Sequence, residues 1–564
     1  MSHMRHFARI ITLALLVSAC SAIVGDTPTE TGKAGSGEMP QVTSTTTRDC
    51  VRHTPGTNPV DTGSVAGDAL VLSGEVFVCA DDVVVADPSD LNGVAAGAQL
   101  ASALEGPLLL PHPQLAAELG RLKPARIYVF GSPDLITPPD AEVVRPTVSE
   151  AVDMAATALG VSEQVRLPST PDATTVIATI EAIDQSDHVV LPQTAPANSG
   201  TVATQPDIDP AALVAGLVRQ SEASSVWLVD ANQPIALLAA AAIGRASGTT
   251  VVAYDPGDIF GYPEVGDALS GHDPGSIRFL GHVPGASEWE ISVLAKGVQL
   301  PGGGFTILPQ DRPRRYVAFY GHPETTGLGV LGEQGPQATL DRMAPYVEAY
   351  AGDGRQVIPT FEIIASVASA KPTEDDDYSF EWPPSSFEEW IRTAAENDAY
   401  VVLDLQPGRE DFLTQAKQYE ELLKLPYVGL ALDPEWRLKP DQVHLKQTGQ
   451  VQASEINTVV EWLADLVRDN ALPQKLLLVQ QFQTRMIVDR DTIEQRPELQ
   501  MIIQMDGQGP ISTKDDTYAA LTAGEENAFW QWGWKNFFDE DSPKTATPEY
   551  TMSKVPVPVF VSYQ

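Results

Sequence analysis

Residues 400–436 read YVVLDLQPGREDFLTQAKQYEELLKLPYVGLALDPEW, and this stretch decides the fold of the C-terminal half. An apolar run, YVVLDLQPG, comes first, and a second apolar run, VGLALDPEW, ends the stretch. Between them, residues 411–423 carry apolar side chains at helical spacing. Continuous apolar runs are typical of buried parallel strands, which are joined by crossover helices. The stretch therefore predicts one strand-helix-strand unit of an α/β fold.

The same alternation continues through residues 315–564, where helical patterns such as residues 454–468 separate the apolar runs. Eight runs qualify as strands: YVAFYGH, QVIPTFEII, YVVLDLQPG, VGLALDPEW, KLLLVQQFQ, LQMIIQMDGQG, FWQWGWKNFF and VPVFVSYQ. Eight strands in a segment of this size predict a (β/α)8 TIM-like barrel, with an open doubly wound sheet as the alternative.

Upstream, the Gly- and Pro-rich residues 300–314 predict a linker, and two α/β repeat units are expected before it, at residues 48–160 and 161–299. Each unit has a β-branched run ending in Asp, an Ala-rich helix, a short apolar strand and a strand ending in Gly. Two tandem units of this kind predict small parallel sheets covered by helices.

The first unit resembles the cell wall binding repeat 2 family. Residues 107–109 match its PiLL strand, residues 127–131 match its strand before a glycine pair, and the second unit, ending at Gly281, is a degenerate copy. The resemblance implies binding to a cell-wall polymer. The alternative is that both units serve only as a spacer.

At the N-terminus, Arg5 and Arg9 precede an apolar stretch over residues 10–17 that is too short to remain as a membrane span, which predicts a signal peptide over residues 1–19. Residues 17–20, VSAC, resemble a bacterial lipobox, which implies that Cys20 becomes the lipid-modified first residue of the mature protein. A plain cleaved signal is the alternative. Residues 20–47 are rich in Ser, Thr, Gly and Pro, as expected of a flexible tether.

Only Cys50 and Cys79 remain after Cys20. In an oxidising compartment such a pair predicts a disulfide, and metal ligation is the weaker alternative because no His or Cys stands nearby at finger-like spacing. We therefore expect an extracytoplasmic protein that is anchored in the membrane by lipid and faces the cell wall.

The chain of 564 residues carries 36 basic and 75 acidic residues, a formal net charge of −39. Phosphate groups would be repelled by this charge, so nucleic acid is not an expected partner. The acidic excess predicts a strongly solvated surface.

Polar residues gather at the C-terminal ends of the predicted strands, where the active face of such a barrel lies. Together they predict a site for a hydroxyl-rich ligand, with Trp side chains to stack on sugar rings. The candidate ligand-binding residues are His322, Glu362, Asp404, Gln406, Gln481, Gln483, Gln508, Lys535 and Tyr563, with Trp382, Trp436, Trp530, Trp532 and Trp534 as aromatic surfaces.

Asp433 and Glu435 end the fourth run. Alternate residues of a strand share a face, so both carboxyl groups are expected on one side, where mutual repulsion would raise the proton affinity of one of them. Such a pair suits general acid catalysis. The alternative is that the pair only holds loop amides at the barrel rim.

Residues 428–435 resemble the D-G-x-D-x-D-x-E motif of the chitinase-like family 18 of glycoside hydrolases. Gly429, Asp433 and Glu435 match the motif, whereas Val428 and Ala431 replace two of its acids. The resemblance implies that Glu435 is the catalytic acid and Asp433 its partner. Muramidases of family 25 also carry a D-x-E at a strand end.

Asp506, in the sixth run, resembles the sixth-strand acid of family 18 and completes the candidate catalytic set. No cofactor and no metal site are predicted, since no metal-ligand or nucleotide-binding pattern is convincing. The expected function is that of a lipid-anchored envelope protein with a glycosidase-like barrel that acts on or binds a cell-wall polysaccharide or peptidoglycan. The alternative is a surface scaffold that binds carbohydrate without turnover.

Overall fold

The structure is a computed structural model, and backbone contacts divide the chain into Met1–Thr46 and Thr47–Gln564. It describes residues 50–52, 59–133, 136–159, 164–167, 189–192, 225–230, 232–254, 259–261, 265–266, 269–281, 288–309, 312–373, 376–524, 527 and 530–564, the backbone alone for 164–167 and 189–192. The predicted signal peptide, Cys20 and the predicted tether lie outside these residues.

Three parallel sheets form the N-terminal part. The first contains β1 (Asp82–Ala86), β2 (Leu108–Leu109), β3 (Arg126–Phe130) and β4 (Glu142–Val144), in the order β2-β1-β3-β4. The second pairs β5 (Gln164–Leu167) with β6 (Val189–Pro192), and the third contains β7 (Val226–Asp230), β8 (Thr250–Tyr254) and β9 (Ile277–Leu280), in the order β8-β7-β9. The prediction of small parallel α/β sheets is confirmed.

Six described helices accompany these sheets: α1 (Val65–Val76), α2 (Leu91–Ala103), α3 (Leu115–Leu122), α4 (Val148–Leu159), α5 (Pro234–Ser247) and α6 (Glu288–Lys296). Helices α2 and α5 contact each other as well as their own sheets. The third strand of each unit ends in a glycine with positive φ, Gly131 at +76° and Gly281 at +88°. At Gly131 a Cβ would lie 2.6 Å from the Cβ of Asp87, so this turn requires glycine.

Eight parallel strands close into a barrel in the C-terminal part, as the eight apolar runs predict. They are β10 (Arg314–Gly321), β11 (Gln356–Ala368), β13 (Tyr400–Leu405), β14 (Val428–Leu432), β16 (Lys475–Gln481), β18 (Leu499–Met505), β19 (Gln531–Asn536) and β20 (Phe560–Tyr563). Strand β10 pairs with both β11 and β20, which completes the ring.

Seven helices accompany the barrel strands: α7 (Pro336–Tyr350), α8 (Glu388–Glu396), α9 (Phe412–Gln418), α10 (Glu420–Leu423), α11 (Ala453–Asp469), α12 (Ile511–Thr522) and α13 (Pro548–Met552). The helical pattern of residues 411–423 is split in two at Tyr419. Three short strands, β12 (Ser379–Glu381), β15 (Val451–Gln452) and β17 (Ile487–Val488), lie outside the ring. Within the described ranges, no helix is both long and apolar enough to cross a membrane.

The barrel interior is apolar towards the N-terminal ends of the strands, which we call the lower part, and polar towards their C-terminal ends, the upper part. Alternate residues of each strand point inward. The lower interior positions form one apolar cluster that includes Tyr316, Tyr400 and Leu476. The uppermost inward positions form what we call the upper polar layer, with one residue per strand: Tyr320, Glu362, Asp404, Asp433, Gln480, Asp506, Lys535 and Gln564.

The segment before β10 closes the bottom of the barrel. Leu300 and Ile307 pack into the lower apolar cluster, and the carbonyl of Ile307 accepts a hydrogen bond from the Tyr316 hydroxyl at 3.1 Å. The N-terminal part contacts this end as well, since the indole N–H of Trp289 donates to the carbonyl of Leu472 at 2.9 Å. The opposite, C-terminal end of the barrel is thereby left as the open one.

Candidate active site at the barrel mouth

A cavity of about 690 Å³ opens at the C-terminal end of the barrel. Its walls come from the C-terminal parts of the strands, from the loops after them and from helix α12, at the end of the barrel where barrel enzymes carry their sites. Eight of the residues singled out from the sequence line it: Gln406, Asp433, Glu435, Trp436, Gln483, Asp506, Gln508 and Lys535.

The acidic pair is held by a turn. Strand β14 ends at Leu432, and Asp433 caps a single 3-10 turn, Pro434–Trp436, by accepting the backbone N–H of Glu435 at 3.1 Å. The expectation that both acids lie on one strand is wrong, because Pro434 begins the turn immediately after Asp433. The turn nevertheless brings both side chains to the cavity.

Asp506 joins this pair. One carboxylate oxygen from each of Asp433, Glu435 and Asp506 lies within 4.8 Å of the other two. The ammonium of Lys535 lies 3.1 Å from a carboxylate oxygen of Asp506 and 3.3 Å from the centre of the Tyr320 ring. Three acids and one cation therefore meet at the cavity floor.

Burial and mutual repulsion keep protons on this cluster. Burial, reinforced by Asp506 and opposed by Lys535, raises the pKa of Glu435 to about 7. Burial and the charges of Asp404 and Asp506 raise the pKa of Asp433 well above its usual value. Burial also raises the pKa of Asp506, although Lys535 opposes this shift. Glu435 can thus exchange a proton near neutral pH, and Asp506 is the acid that has its own cation.

Glu362 and Asp404 belong to the upper polar layer without lining the cavity. Asp404 accepts hydrogen bonds from the Tyr320 hydroxyl at 2.9 Å and from the Gln480 amide at 2.8 Å. The same Gln480 amide lies 3.4 Å from Glu362. Burial raises the pKa of Asp404 to about 7 and that of Glu362 to about 8. A hydrogen-bonded layer of acids thus lies beside Asp433.

Ala431 stands where the family 18 motif has an acid, and the register of β13 and β14 places a carboxyl group opposite this position. Ala431 pairs directly with Asp404 of the neighbouring strand. Asp404 also contributes the largest charge effect on the pKa of Asp433. A buried carboxyl group therefore acts on Asp433 from the next strand.

His322 and Gln481 are turned away from the cavity. The Nδ1 atom of His322 accepts the backbone N–H of Glu324 at 3.1 Å, its ring lies 4.2 Å from that of Trp382, and burial lowers its pKa to about 4. The side chain of Gln481 accepts from Arg490 at 2.6 Å. Both residues hold loops in place around the barrel mouth.

Trp534 and Tyr563 point outward from the barrel wall. The indole of Trp534 donates to Asn536 at 2.9 Å, and the hydroxyl of Tyr563 lies 2.8 Å from that of Tyr350. Both side chains are buried in the outer core between strands and helices. Neither residue lines the cavity.

Trp436 is the one member of the five predicted Trp residues that lines the cavity, where its ring stacks on His444 at 4.6 Å. Trp530, Trp532 and Trp534 are buried in the outer core, and Trp382 packs on His322. One aromatic wall remains for a sugar ring to stack against, beside Phe482 and Phe537.

Sequence reasoning missed Tyr320, Gln480 and Lys514. Tyr320 and Lys514 line the cavity, and Gln480 links Asp404 to Glu362 beneath it. The two-residue alternation carried the signal for Gln480, since Leu476 and Leu478 lie in the lower interior cluster and Gln480 follows in the same series. Lys514 lies on helix α12 rather than at a strand end, and no pattern in the sequence marks it as a site residue.

Two groups of acids in the described residues have the spacing of cation ligands. One is Asp433, Glu435 and Asp506, and the other is Asp377, Glu381 and Glu410. Carboxylate oxygens suit Mg²⁺ or Ca²⁺. In the first group, however, Lys535 already supplies Asp506 with a positive charge.

The solved structures to which this chain is similar include two from Clostridium difficile. Cwp6 aligns with a TM-score of 0.32 and 11% identity over 64% of this chain and 65% of its own, and Cwp8 aligns with a TM-score of 0.31 and 12% identity over 43% and 52%. The alignments thus span less than two thirds of either protein's length. No family model and no curated protein matches the sequence.

Proposed function

We propose that the barrel hydrolyses glycosidic bonds of a cell-envelope polysaccharide at this cavity. The observation that carries the proposal is the proximity of Glu435 and Asp506, whose carboxylate oxygens lie within 4.8 Å of each other at the floor of a cavity of about 690 Å³. Glycosidases use two carboxyl groups, which lie about 5 Å apart in retaining enzymes. The separation supports retention of configuration at the anomeric carbon.

The two acids take different roles because their surroundings differ. Glu435, whose pKa is raised to about 7, retains a proton that it can donate to the leaving oxygen. Asp506, ion-paired with Lys535, is suited to stabilise the positive charge that develops on the sugar, as is an acetamido group of the substrate itself. Asp433 positions Glu435 by accepting its backbone N–H.

A sugar substrate fits the remaining walls. Trp436 offers an aromatic face, and the amides of Gln406 and Gln508 reach the same cavity. Cavities of this kind recognise hydroxyl groups through a few placed polar groups and stack on rings through aromatic ones. Cell-wall polysaccharide or peptidoglycan is the proposed substrate class.

An extracytoplasmic location belongs to the same proposal. Cys50 and Cys79 form a disulfide, which is characteristic of oxidising compartments. The lipobox-like sequence supports a lipid anchor at Cys20, and the resemblance of the first repeat supports wall binding by the N-terminal units. The chain would thereby stand between membrane and wall.

Glu435→Gln tests the catalytic role, because it removes the proton and keeps the shape. We expect release of reducing ends from peptidoglycan, chitin oligomers or arabinogalactan to fall about 10²- to 10⁴-fold. Glu540→Gln is the matched control, since Glu540 lines the same cavity but is exposed and lies outside the acid cluster. Equal activity in the unmodified protein and Glu435→Gln would refute the assignment.

Carbohydrate binding without turnover is the second candidate, and the replacement of two motif acids by Val428 and Ala431 favours it. In that case the unmodified protein releases no reducing ends from any of these polymers. A sugar would nevertheless raise its melting temperature, and Glu435→Gln would alter thermal stability rather than ligand binding.

A further inference from the structure

A second cavity, of about 440 Å³, adjoins the cavity at the barrel mouth. The two share four lining residues, Phe482, Gln483, Thr513 and Thr517, so they are compartments of one continuous depression. We call the second compartment the side groove. None of the acids in the Asp433, Glu435 and Asp506 cluster lines it.

One face of helix α12 forms a wall of the side groove. Thr513, Asp516, Thr517 and Ala520 follow one another at helical spacings of three and four residues, which places them on the same face. At a rise of 1.5 Å per residue, the wall from Thr513 to Ala520 is about 10 Å long. The side groove therefore extends along about two turns of α12.

The polar side chains of the side groove are available for a ligand, as far as the described residues show. In the described part of the chain, no hydrogen bond or ion pair engages the side chains of Gln483, Arg485, Thr513, Asp516 or Thr517. An amide, two hydroxyl groups and one charge of each sign are thus available to a ligand. A wall with this mixture favours a hydroxyl-rich ligand over a polyanion.

We propose that the side groove is a binding subsite for further sugar residues of a polysaccharide whose reacting bond lies at the barrel mouth. The inference rests on the proposed function and adds that the ligand is a chain held at both compartments. The chain would cross Phe482 and Gln483, which belong to both compartments, and then run along α12.

The experiment measures affinity against oligomer length by calorimetry with the full-length protein in detergent. The probes are chitin oligomers and peptidoglycan glycan fragments of increasing length. We expect the oligomers that reach the side groove to bind at least about tenfold more tightly than the shortest ones, a gain of about 1.4 kcal/mol.

Ala520→Trp and Ala519→Trp form a matched pair on α12. Both alanines are exposed, but only Ala520 lines the side groove. We expect Ala520→Trp to abolish the gain with length and to leave the shortest oligomers unaffected, whereas Ala519→Trp behaves like the unmodified protein. An undiminished gain in Ala520→Trp would overturn the proposal.

Asp516→Asn provides a second variant, because it removes a charge while keeping the side-chain shape, and Asp516 lines the side groove but not the cavity at the barrel mouth. We expect it to weaken only the longer oligomers, by about threefold to tenfold. If affinity in the unmodified protein does not depend on length, the subsite is refuted and the function at the barrel mouth stands. If no oligomer of any length binds, both proposals fall.

Discussion

Gly429 faces the barrel interior at a point where neighbouring strands leave no room for a side chain. A Cβ there would lie 2.7 Å from the carbonyl oxygen of Leu476 and 3.0 Å from the ring of Tyr400. The hydroxyl of Tyr400 occupies this space and accepts the backbone N–H of Leu476 at 3.2 Å. The glycine that matches the glycosidase motif thus has a packing reason of its own.

Gly429→Ala should therefore lower the free energy of unfolding by about 1–3 kcal/mol, as overpacking of a dense core does. Denaturant titration measures this change. Gly352→Ala is the control, because a Cβ at Gly352 meets nothing within 4 Å and the residue is exposed. An equal effect of the two substitutions would contradict the packing explanation.

At the scale of elements, the disulfide ties the chain before α1 to the segment that follows it. Cys50 and Cys79 are separated by 29 residues, and backbone hydrogen bonds reinforce the link, from Val78 to Cys50 at 2.8 Å and from Arg52 to Val76 at 2.7 Å. The prediction from the cysteine count is confirmed. The bridge fixes the chain before α1 to the link between α1 and β1.

Replacing both cysteines by serine should destabilise the protein by roughly 3.5 kcal/mol, the loop-entropy estimate for a loop of this length. Thermal denaturation with and without dithiothreitol measures the effect. The reductant should destabilise the unmodified protein and leave the double variant unchanged. A reductant effect of the same size on the double variant would assign the loss to another cause.

The eight strands were predictable from the sequence because each is a continuous apolar run bounded by polar residues. Which side chains point into the barrel was not predictable, because strands buried on both sides show no apolar-polar alternation until they end. The sequence therefore predicts Tyr563 at a position where Gln564 lines the cavity, and Gln481 at a position where Gln480 faces inward. The local turn at Asp433 also escaped prediction, because the apolar run continues up to it and only Pro434 marks the change.

At the scale of the whole molecule, the barrel interior contains more carboxyl groups than its buried positive charge can balance. The upper polar layer holds four carboxyl groups and a single ammonium group. In a dry interior such acids keep their protons rather than remain unpaired anions. The folded chain therefore binds protons near neutral pH that the unfolded chain releases.

This excess predicts that stability falls as pH rises. The folded-state pKa of Glu362 is raised to about 8 from 4.5, so its contribution is full below about pH 4.5 and is lost as pH approaches 8. Each unit of difference in pKa corresponds to about 1.4 kcal/mol. Glu362→Gln should thus show a shallower loss of melting temperature between about pH 5 and pH 7 than the unmodified protein.

The unmodified protein must be compared with this variant, because the titration of other buried groups makes stability rise with pH instead of fall. Burial lowers the pKa of His322 to about 4 and that of Lys475 to about 7, so both groups make stability rise with pH, His322 between about 4 and 6.5 and Lys475 above about 7. The difference between variant and unmodified protein removes these contributions. Parallel pH profiles of the two proteins would contradict the assignment to Glu362.

The upper polar layer also affects how the chain finds its fold. A slip of one residue between neighbouring strands would turn Glu362 or Asp404 outward against apolar helices and turn side chains such as Phe361 or Leu403 inward. Because burying an unpaired acid costs far more than misplacing an apolar side chain, each misregistered barrel is penalised at several strands at once. The layer that equips the mouth for chemistry thereby also selects the correct strand alignment during folding.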